Sequence, residues 1–345
     1  MYKTEQEIFS QHDALKKTFD HIMKNKSRIR EFFSDNSFKS YTYTGCGSSF
    51  SLCKSAAISV NQKGLKSIAI PSGDLMINFD HYTKLLPGTL IIAPSRSGST
   101  SEVINAIKKA KDKFNIKCMS ICMKSDSALS KIADFNIELP WAFDESICQT
   151  RTVSNLYLAN ILITAIMTGD TEFIEEAKKA VDNQEKNMQQ YKDVARQIGE
   201  ITEWNKVVVL ADSSLEGIAE EGSLAFKEIC QLDSNYYHIL DVRHGPMVMI
   251  NNKSLVIVAC SPSENSYQKD LIKDLKNKGA IVVTVSAEYH NIWGSDYNIT
   301  VPRYKSFEVL GIPFIFVPQA VSFYKALSLG INPDLPQGLD PWIKL

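Results

Sequence analysis

Charge of one sign is the first thing this chain lacks. Its 38 Lys and Arg stand against 39 Asp and Glu, a formal net charge of -1 over 345 residues. With no basic footprint, nucleic acid is not an expected partner. No apolar run reaches the ~18 residues that a membrane helix needs, so no membrane span is expected either. The opening Met1-Tyr-Lys-Thr-Glu-Gln-Glu lacks the basic-then-apolar form of a secretory leader. Zinc-type spacing of His and Cys is missing, and no metal is expected. The seven cysteines, Cys46, Cys53, Cys118, Cys122, Cys148, Cys230 and Cys260, form no disulfide framework. An odd, scattered set points to reduced thiols and a cytoplasmic protein. Cys118 and Cys122 lie in an apolar run and read as packing residues. A Walker lysine and a GxGxxG are also absent, so no nucleotide or other cofactor is expected.

What is present reads as a soluble globular chain of about two domains. Residues 1 to about 35 carry Ile8, Leu15, Phe19, Ile22, Ile29 and Phe33 at helical spacing, which predicts an N-terminal helix. Short apolar strands then alternate with helical segments: Tyr41–Thr44, Ser67–Ile70, Leu90–Ala93 and Ile116–Met123. That alternation predicts βαβ units, and so an α/β fold with a parallel sheet covered on both faces. The pattern returns at Val207–Leu210, Leu255–Ala259 and Ile281–Val285. Tyr43 to Val208, Leu90 to Leu255 and Ile116 to Ile281 are each 165 positions apart. One constant offset over three strands means two copies of one unit. A long helical stretch, about Asn155 to Trp204, joins them.

The sharpest motif follows a strand of the first copy: Thr89-Leu-Ile-Ile-Ala-Pro-Ser-Arg-Ser-Gly-Ser-Thr-Ser-Glu102. A buried strand runs into a turn of small hydroxyl residues and then into a helix. Such a turn suits phosphate. The backbone comes close, the hydroxyls donate, and the helix N-terminus offers free N–H groups at its positive end. Ordinary capping would need one hydroxyl; here Ser95, Ser97, Ser99, Thr100 and Ser101 cluster. The second copy has Pro262 and Glu264 at the corresponding places, and a carboxylate repels phosphate. Copy one is thus expected to bind phosphate and copy two to supply something else. Copy two carries Glu220-Glu-Gly-Ser-Leu-Ala-Phe-Lys-Glu228 and then Asp241-Val-Arg-His-Gly-Pro246. Glu221 and Glu228 are seven apart, two helical turns, and share a face. The Gly-Pro pair after His244 fixes a turn and the direction of its ring.

Gly45-Cys-Gly-Ser-Ser, Ser95-Arg-Ser-Gly-Ser-Thr100, Glu221-Gly-Ser-Leu-Ala-Phe-Lys-Glu228 and His244-Gly-Pro together resemble the SIS (sugar isomerase) family, over about residues 36 to 345. The chain is similar to the isomerase half of glucosamine-6-phosphate synthase and its stand-alone relatives. The resemblance implies two tandem SIS domains, each a five-stranded parallel sheet in a three-layer αβα, flavodoxin- or Rossmann-like arrangement. The expected divisions are a helix over 1–35, domains over 36–165 and 201–330, a helical connection over 166–200 and a tail over 331–345 that covers the site. It implies that Ser95, Ser97 and Thr100, with Arg96, hold a sugar phosphate. Many relatives carry Gln where this chain has Arg96, whose guanidinium either adds a charge-assisted bond or faces solvent. Ser49 would contact a sugar hydroxyl, and Cys148 would line the sugar with backbone; Thr150 is a weaker candidate. Glu228 corresponds to the family's base. His244 corresponds to the histidine that assists ring opening, supplied by the neighbouring subunit of a homodimer.

Two departures bear on the reaction. The family synthase has a lysine three residues before the base, where this chain has Ala225. At the position of its Schiff-base lysine stands Pro341, with Lys344 three residues away. A substrate that already carries an amine needs no such imine, which favours deaminase or fructosamine-6-phosphate deglycase work over simple isomerisation. The synthase's glutaminase half has no counterpart before Met1-Tyr-Lys, so glutamine hydrolysis is not expected. Trp342 and the tail would close the site. The alternative is a non-catalytic sugar-phosphate sensor, which would need only the phosphate turn and leaves Glu228 and His244 unexplained. A dinucleotide-binding reading of Gly45-Cys-Gly-Ser-Ser-Phe50 fails on its missing third glycine and leaves the repeat unexplained.

Overall fold

The computed structural model describes residues 1–263 and 265–339. The apolar runs become two parallel five-stranded sheets. The first contains β1 (Ser40–Gly45), β2 (Ser67–Pro71), β3 (Thr89–Ser95), β4 (Lys117–Cys122) and β5 (Phe135–Glu138), in the order β2-β1-β3-β4-β5. The second contains β6 (Lys206–Leu210), β7 (Asp233–Tyr237), β8 (Ser254–Ala259), β9 (Ile281–Ser286) and β10 (Tyr297–Thr300), in the order β10-β9-β8-β6-β7. Read from β7, the second order repeats the first, so the 165-residue offset is a repeat of topology. The central strands β3 and β8 are buried at every residue, as a sheet covered on both faces requires.

The longer helices are α1 (Lys3–Phe9), α2 (Gln11–Lys24), α3 (Lys26–Ser34), α4 (Ser48–Gln62), α5 (Ser101–Phe114), α6 (Arg151–Thr168), α7 (Thr171–Glu200), α8 (Glu216–Ile229), α9 (Asn265–Asn277) and α10 (Phe316–Ser328). In place of the single helix expected over 1–35, three follow in succession. Asn25 ends α2 by turning its side-chain amide onto the His21 carbonyl at 2.8 Å. The expected long connection is likewise two helices. Gly169, at φ +72°, stops α6, and the Asp170 carboxylate accepts from Phe173 N–H at 3.0 Å to start α7. Residues 152–166 of α6 are all buried, so it is a core helix, covered on every side.

The chain divides into two compact units. One comprises Ser10–Glu145 and Arg151–Lys178 and holds the first sheet. The other comprises Met1–Phe9, Ser146–Thr150 and Lys179–Leu339 and holds the second. In the first unit, α5 buries Val103, Ala106, Ile107 and Ala110 against Ile91 and Ala93 of β3. In the second, residues alternate along β6. Val209 faces Gly222 of α8, while Val208 and Leu210 pack with Val242, Ile250 and, on α9, Leu271, Ile272 and Leu275. α8 and α9 therefore cover opposite faces of that sheet, the three-layer α/β arrangement. The stretch Phe307–Ser328 is long and apolar enough to cross a bilayer by composition, yet 94% of its most apolar window is buried in the fold.

Candidate active site

In the first unit, β1 and β3 are neighbours, and their chains leave towards opposite edges of the sheet. The C-terminal ends of two such strands form the crevice where open α/β sheets bind ligands. Two helix N-termini meet it. α4 begins at Ser48 after Gly47, and α5 begins at Ser101 after Thr100, with no side-chain cap on either. Neither Gly47 nor Thr100 thus spends a side chain on capping the helix that follows it. Gly45 lets α4 press on the strand end, for a Cβ there would lie 3.0 Å from the Ser49 carbonyl carbon. Ser49 itself is buried in that first turn.

The turn after β3 is pre-shaped by its own serines. Ser95 Oγ accepts from Gly98 N–H at 2.9 Å, and Ser97 Oγ accepts from Ser99 N–H at 3.2 Å. A hydroxyl that accepts from the backbone keeps its proton for another acceptor, such as a phosphate oxygen. Gly98 takes φ +59°, and a Cβ on it would strike the Ser127 side chain at 2.3 Å. Its carbonyl accepts from Leu129 N–H at 2.9 Å, fixing the turn from behind. Arg96 is 6% exposed, so it does not face solvent. Thr100 is half-buried at the N-cap position, with its hydroxyl not spent on capping. Two neighbours went unnoticed in the sequence. Burial, with the Glu102 carboxylate close by, pushes the Cys46 thiol up to about 11. Glu102 stands in the first turn of α5, where the helix dipole favours a carboxylate.

The second unit holds Cys148, Glu228 and His244. Glu228 is half-buried near the end of α8, and Glu221, two turns earlier, is buried. Ser234 Oγ donates to the Ser223 carbonyl and ties α8 to β7. His244 is exposed and follows the short turn Asp241–Arg243, its N–H donating to the Asp241 carbonyl at 2.8 Å. Gly245 at φ +122° then turns the chain into Pro246. Glu228 belongs to the face of the sheet that Val209 occupies. His244 belongs to the segment whose Val242 and Ile250 pack on the other face. One chain thus carries these two residues on opposite faces of its second sheet.

Cys148 is buried in the segment Ser146–Thr150, which the fold holds against α1 and α10. Ser146 N–H donates to Glu7 Oε1 at 3.2 Å, and Gln319 Nε2 donates to the Thr150 carbonyl at 3.0 Å. Pro318, next to Gln319, packs on Gly222 of α8. α10 therefore brings the Cys148 segment to the helix that carries Glu228. Glu7 and Gln319 left no mark in the sequence beyond a polar residue beside an apolar helical position. Glu264, the expected carboxylate of the second copy's turn, lies outside the described residues, as do Pro341, Trp342 and Lys344 in the last six residues of the expected tail.

Comparison with known proteins shows the family and the fold. The model of the SIS domain matches residues 37–166 and 200–326. The glutamine–fructose-6-phosphate aminotransferase of Sulfurisphaera tokodaii is 21% identical over 335 residues, 96% of this chain. The chain spans only 55% of that relative's length. The D-galactosamine-6-phosphate deaminase of Escherichia coli O157:H7 is 25% identical over 284 residues, covering 78% of this chain and 73% of the relative. The crystal structure of glucosamine-6-phosphate deaminase from Thermotoga maritima superposes with a TM-score of 0.83 at 26% identity, covering 99% of this chain and 100% of the other.

Proposed function

The chain belongs to the SIS domain family, and from that premise we propose that it is a phosphosugar isomerase-type enzyme. Its substrate is a ketose, aldose or amino-sugar 6-phosphate. It moves a proton between C1 and C2, and where the substrate carries an amine, water adds to the resulting imine carbon and the amine leaves, as in a deaminase or fructosamine-6-phosphate deglycase. The observation that carries this reading is the crevice of the first unit. Two uncapped helix N-termini and two serine hydroxyls with protons to donate suit a dianionic phosphate. Two of the relatives are named for deaminating amino-sugar 6-phosphates, which supports the amine-bearing substrate.

In this reading Ser95, Ser97, Thr100 and Arg96 hold the phosphate, and Ser49 and the Cys148 backbone hold the sugar. His244 assists ring opening. Glu228 takes the proton from one carbon and returns it to the other through an enediol or enolamine, a step to which a positioned base contributes ~10²–10⁴-fold. We assign His244 to the partner of a homodimer. Within one chain it belongs to the sheet face opposite Glu228, and it is exposed beside Val248 and Met249, which are 78% and 63% exposed. Seven free thiols fit a reducing compartment.

A substrate panel tests the reading. Glucosamine 6-phosphate, galactosamine 6-phosphate, fructose 6-phosphate and a fructosamine 6-phosphate are supplied in turn. Turnover is read as ammonia or amine release and as aldose–ketose interconversion. The expected result is release of an amine from one of the amine-bearing sugars. Tight binding with no turnover on any of them would overturn the enzyme in favour of the sensor.

A further inference from the structure

The N-terminal helix α1 lies outside both matched SIS segments, yet it is tied to the segment that carries Cys148. Glu7 is 3% exposed. One of its oxygens accepts from Ser146 N–H at 3.2 Å, and the other is bonded to Ser146 Oγ. The Cys148 carbonyl, 2.9 Å from Ser146 Oγ, is a second acceptor for the same hydroxyl proton. The helix that presents Glu7 is fixed at both ends. At its start, Lys3 N–H and Thr4 N–H donate to the Asp334 carboxylate at 2.9 and 2.8 Å, and Thr4 Oγ1 donates to the same group at 2.8 Å. Asp334 thus caps α1 from more than three hundred residues away. At its end, the Phe9 ring packs edge-on against Phe316 and Phe323 of α10, with centroids 5.8 and 6.3 Å apart.

We propose that Glu7 is a positioning residue for the sugar. With Gln319 on the Thr150 carbonyl, it fixes the backbone at Cys148, so α1 sets how the sugar is held while the serine turn sets how the phosphate is held. The inference rests on the assignment of Cys148 to the sugar in the proposed function. A buried carboxylate is costly unless it is bonded, and here its bonds go to a loop. The hydroxyl of Ser146 has one proton and two acceptors, the Glu7 carboxylate and the Cys148 carbonyl. A glutamine at position 7 would accept from Ser146 N–H and donate to Ser146 Oγ, leaving that proton to the Cys148 carbonyl. An alanine would leave Ser146 N–H without this acceptor.

The test compares Glu7→Ala, Glu7→Gln and Ser146→Ala in the full chain by calorimetric binding of fructose 6-phosphate and of inorganic phosphate. Glu7→Ala and Ser146→Ala should each weaken the sugar phosphate about tenfold, the effect of one charge-assisted bond, with inorganic phosphate unchanged. Glu7→Gln should stay within about twofold of wild type on both. Unchanged sugar-phosphate affinity in a folded Glu7→Ala or Ser146→Ala overturns the proposal. So does equal weakening of both ligands, which marks a structural role only. If Glu7→Ala does not fold, Ser146→Ala decides by the same criteria. Wild-type protein that binds fructose 6-phosphate no better than inorganic phosphate removes the reading beneath the proposal, and the proposal with it.

Discussion

The turn after β3 and the turn after β8 occupy the same place in two copies of one fold, and they have opposite fates. In the first copy, Val103 points into the core and puts no polar group into the serine turn. In the second copy the residue 165 positions later is Gln268, and its side chain fills the turn. It accepts from Ser261 N–H at 2.9 Å and donates to the carbonyls of Ser261 and Ser263 at 3.1 and 2.7 Å. Beside it, Asp212 and Glu216 stand where the first copy has Gly47 and Ser51, and both face His238, at 3.2 and 3.8 Å. Carboxylates and a self-satisfied turn leave nothing for phosphate. In the proposed reading the first copy's turn holds the ligand, while the second copy's turn is filled by its own Gln268 and its helix α8 carries Glu228. A duplicated fold can divide its labour through a handful of residues at strand ends.

Glu228→Gln should break the comparison hardest. Turnover of the active sugar in the panel should fall by ~10²–10⁴-fold, since the amide cannot take a proton. Rates near wild type would remove Glu228 from the chemistry. Next comes Gly98→Ala. A side chain at φ +59° that meets Ser127 should cost about 2–4 kcal/mol, read as a lowered midpoint in urea. Ser263 in the second copy has no positive φ, so Ser263→Ala should move that midpoint little. Gln268→Val installs the first copy's residue in the second. It should cost about 1–3 kcal/mol through the turn groups left unbonded, with KM for the sugar phosphate unchanged. A raised KM would mean that the second turn also binds. The smallest effect concerns Cys46. Its thiol, pushed up to about 11, stays protonated at neutral pH and becomes thiolate only as the pH rises through that value. Iodoacetamide at pH 8 should leave it unmodified by mass spectrometry, and rapid labelling would contradict the burial.

Much of this was legible in the chain itself. β3 and β8 are apolar at nearly every position because both faces are covered, and such runs announce themselves. The strands that escaped notice are β5, β7 and β10, all at sheet edges. Asp-Ser-Asn-Tyr-Tyr in β7 buries only Ser234 fully, so its residues carry no apolar run to read. The serine turn after β3 stood out because five hydroxyl residues in seven positions exceed what a cap requires. Gln268 did not, because a lone glutamine three residues into a helix looks like any solvated side chain. Neither did Glu7, whose partner Ser146 is 139 residues away. Long-range polar pairs leave no periodicity, and only the folded chain reveals them.

The division of labour between the copies is tested most directly by measuring sugar-phosphate affinity in Ser97→Ala and Glu228→Gln side by side, by calorimetry on the full chain. Ser97→Ala should bind about tenfold more weakly than wild type, through one lost bond to a charged group, and Glu228→Gln should bind as wild type does. Equal losses in both variants, or a loss in Glu228→Gln alone, would contradict the assignment of phosphate to the first copy and chemistry to the second.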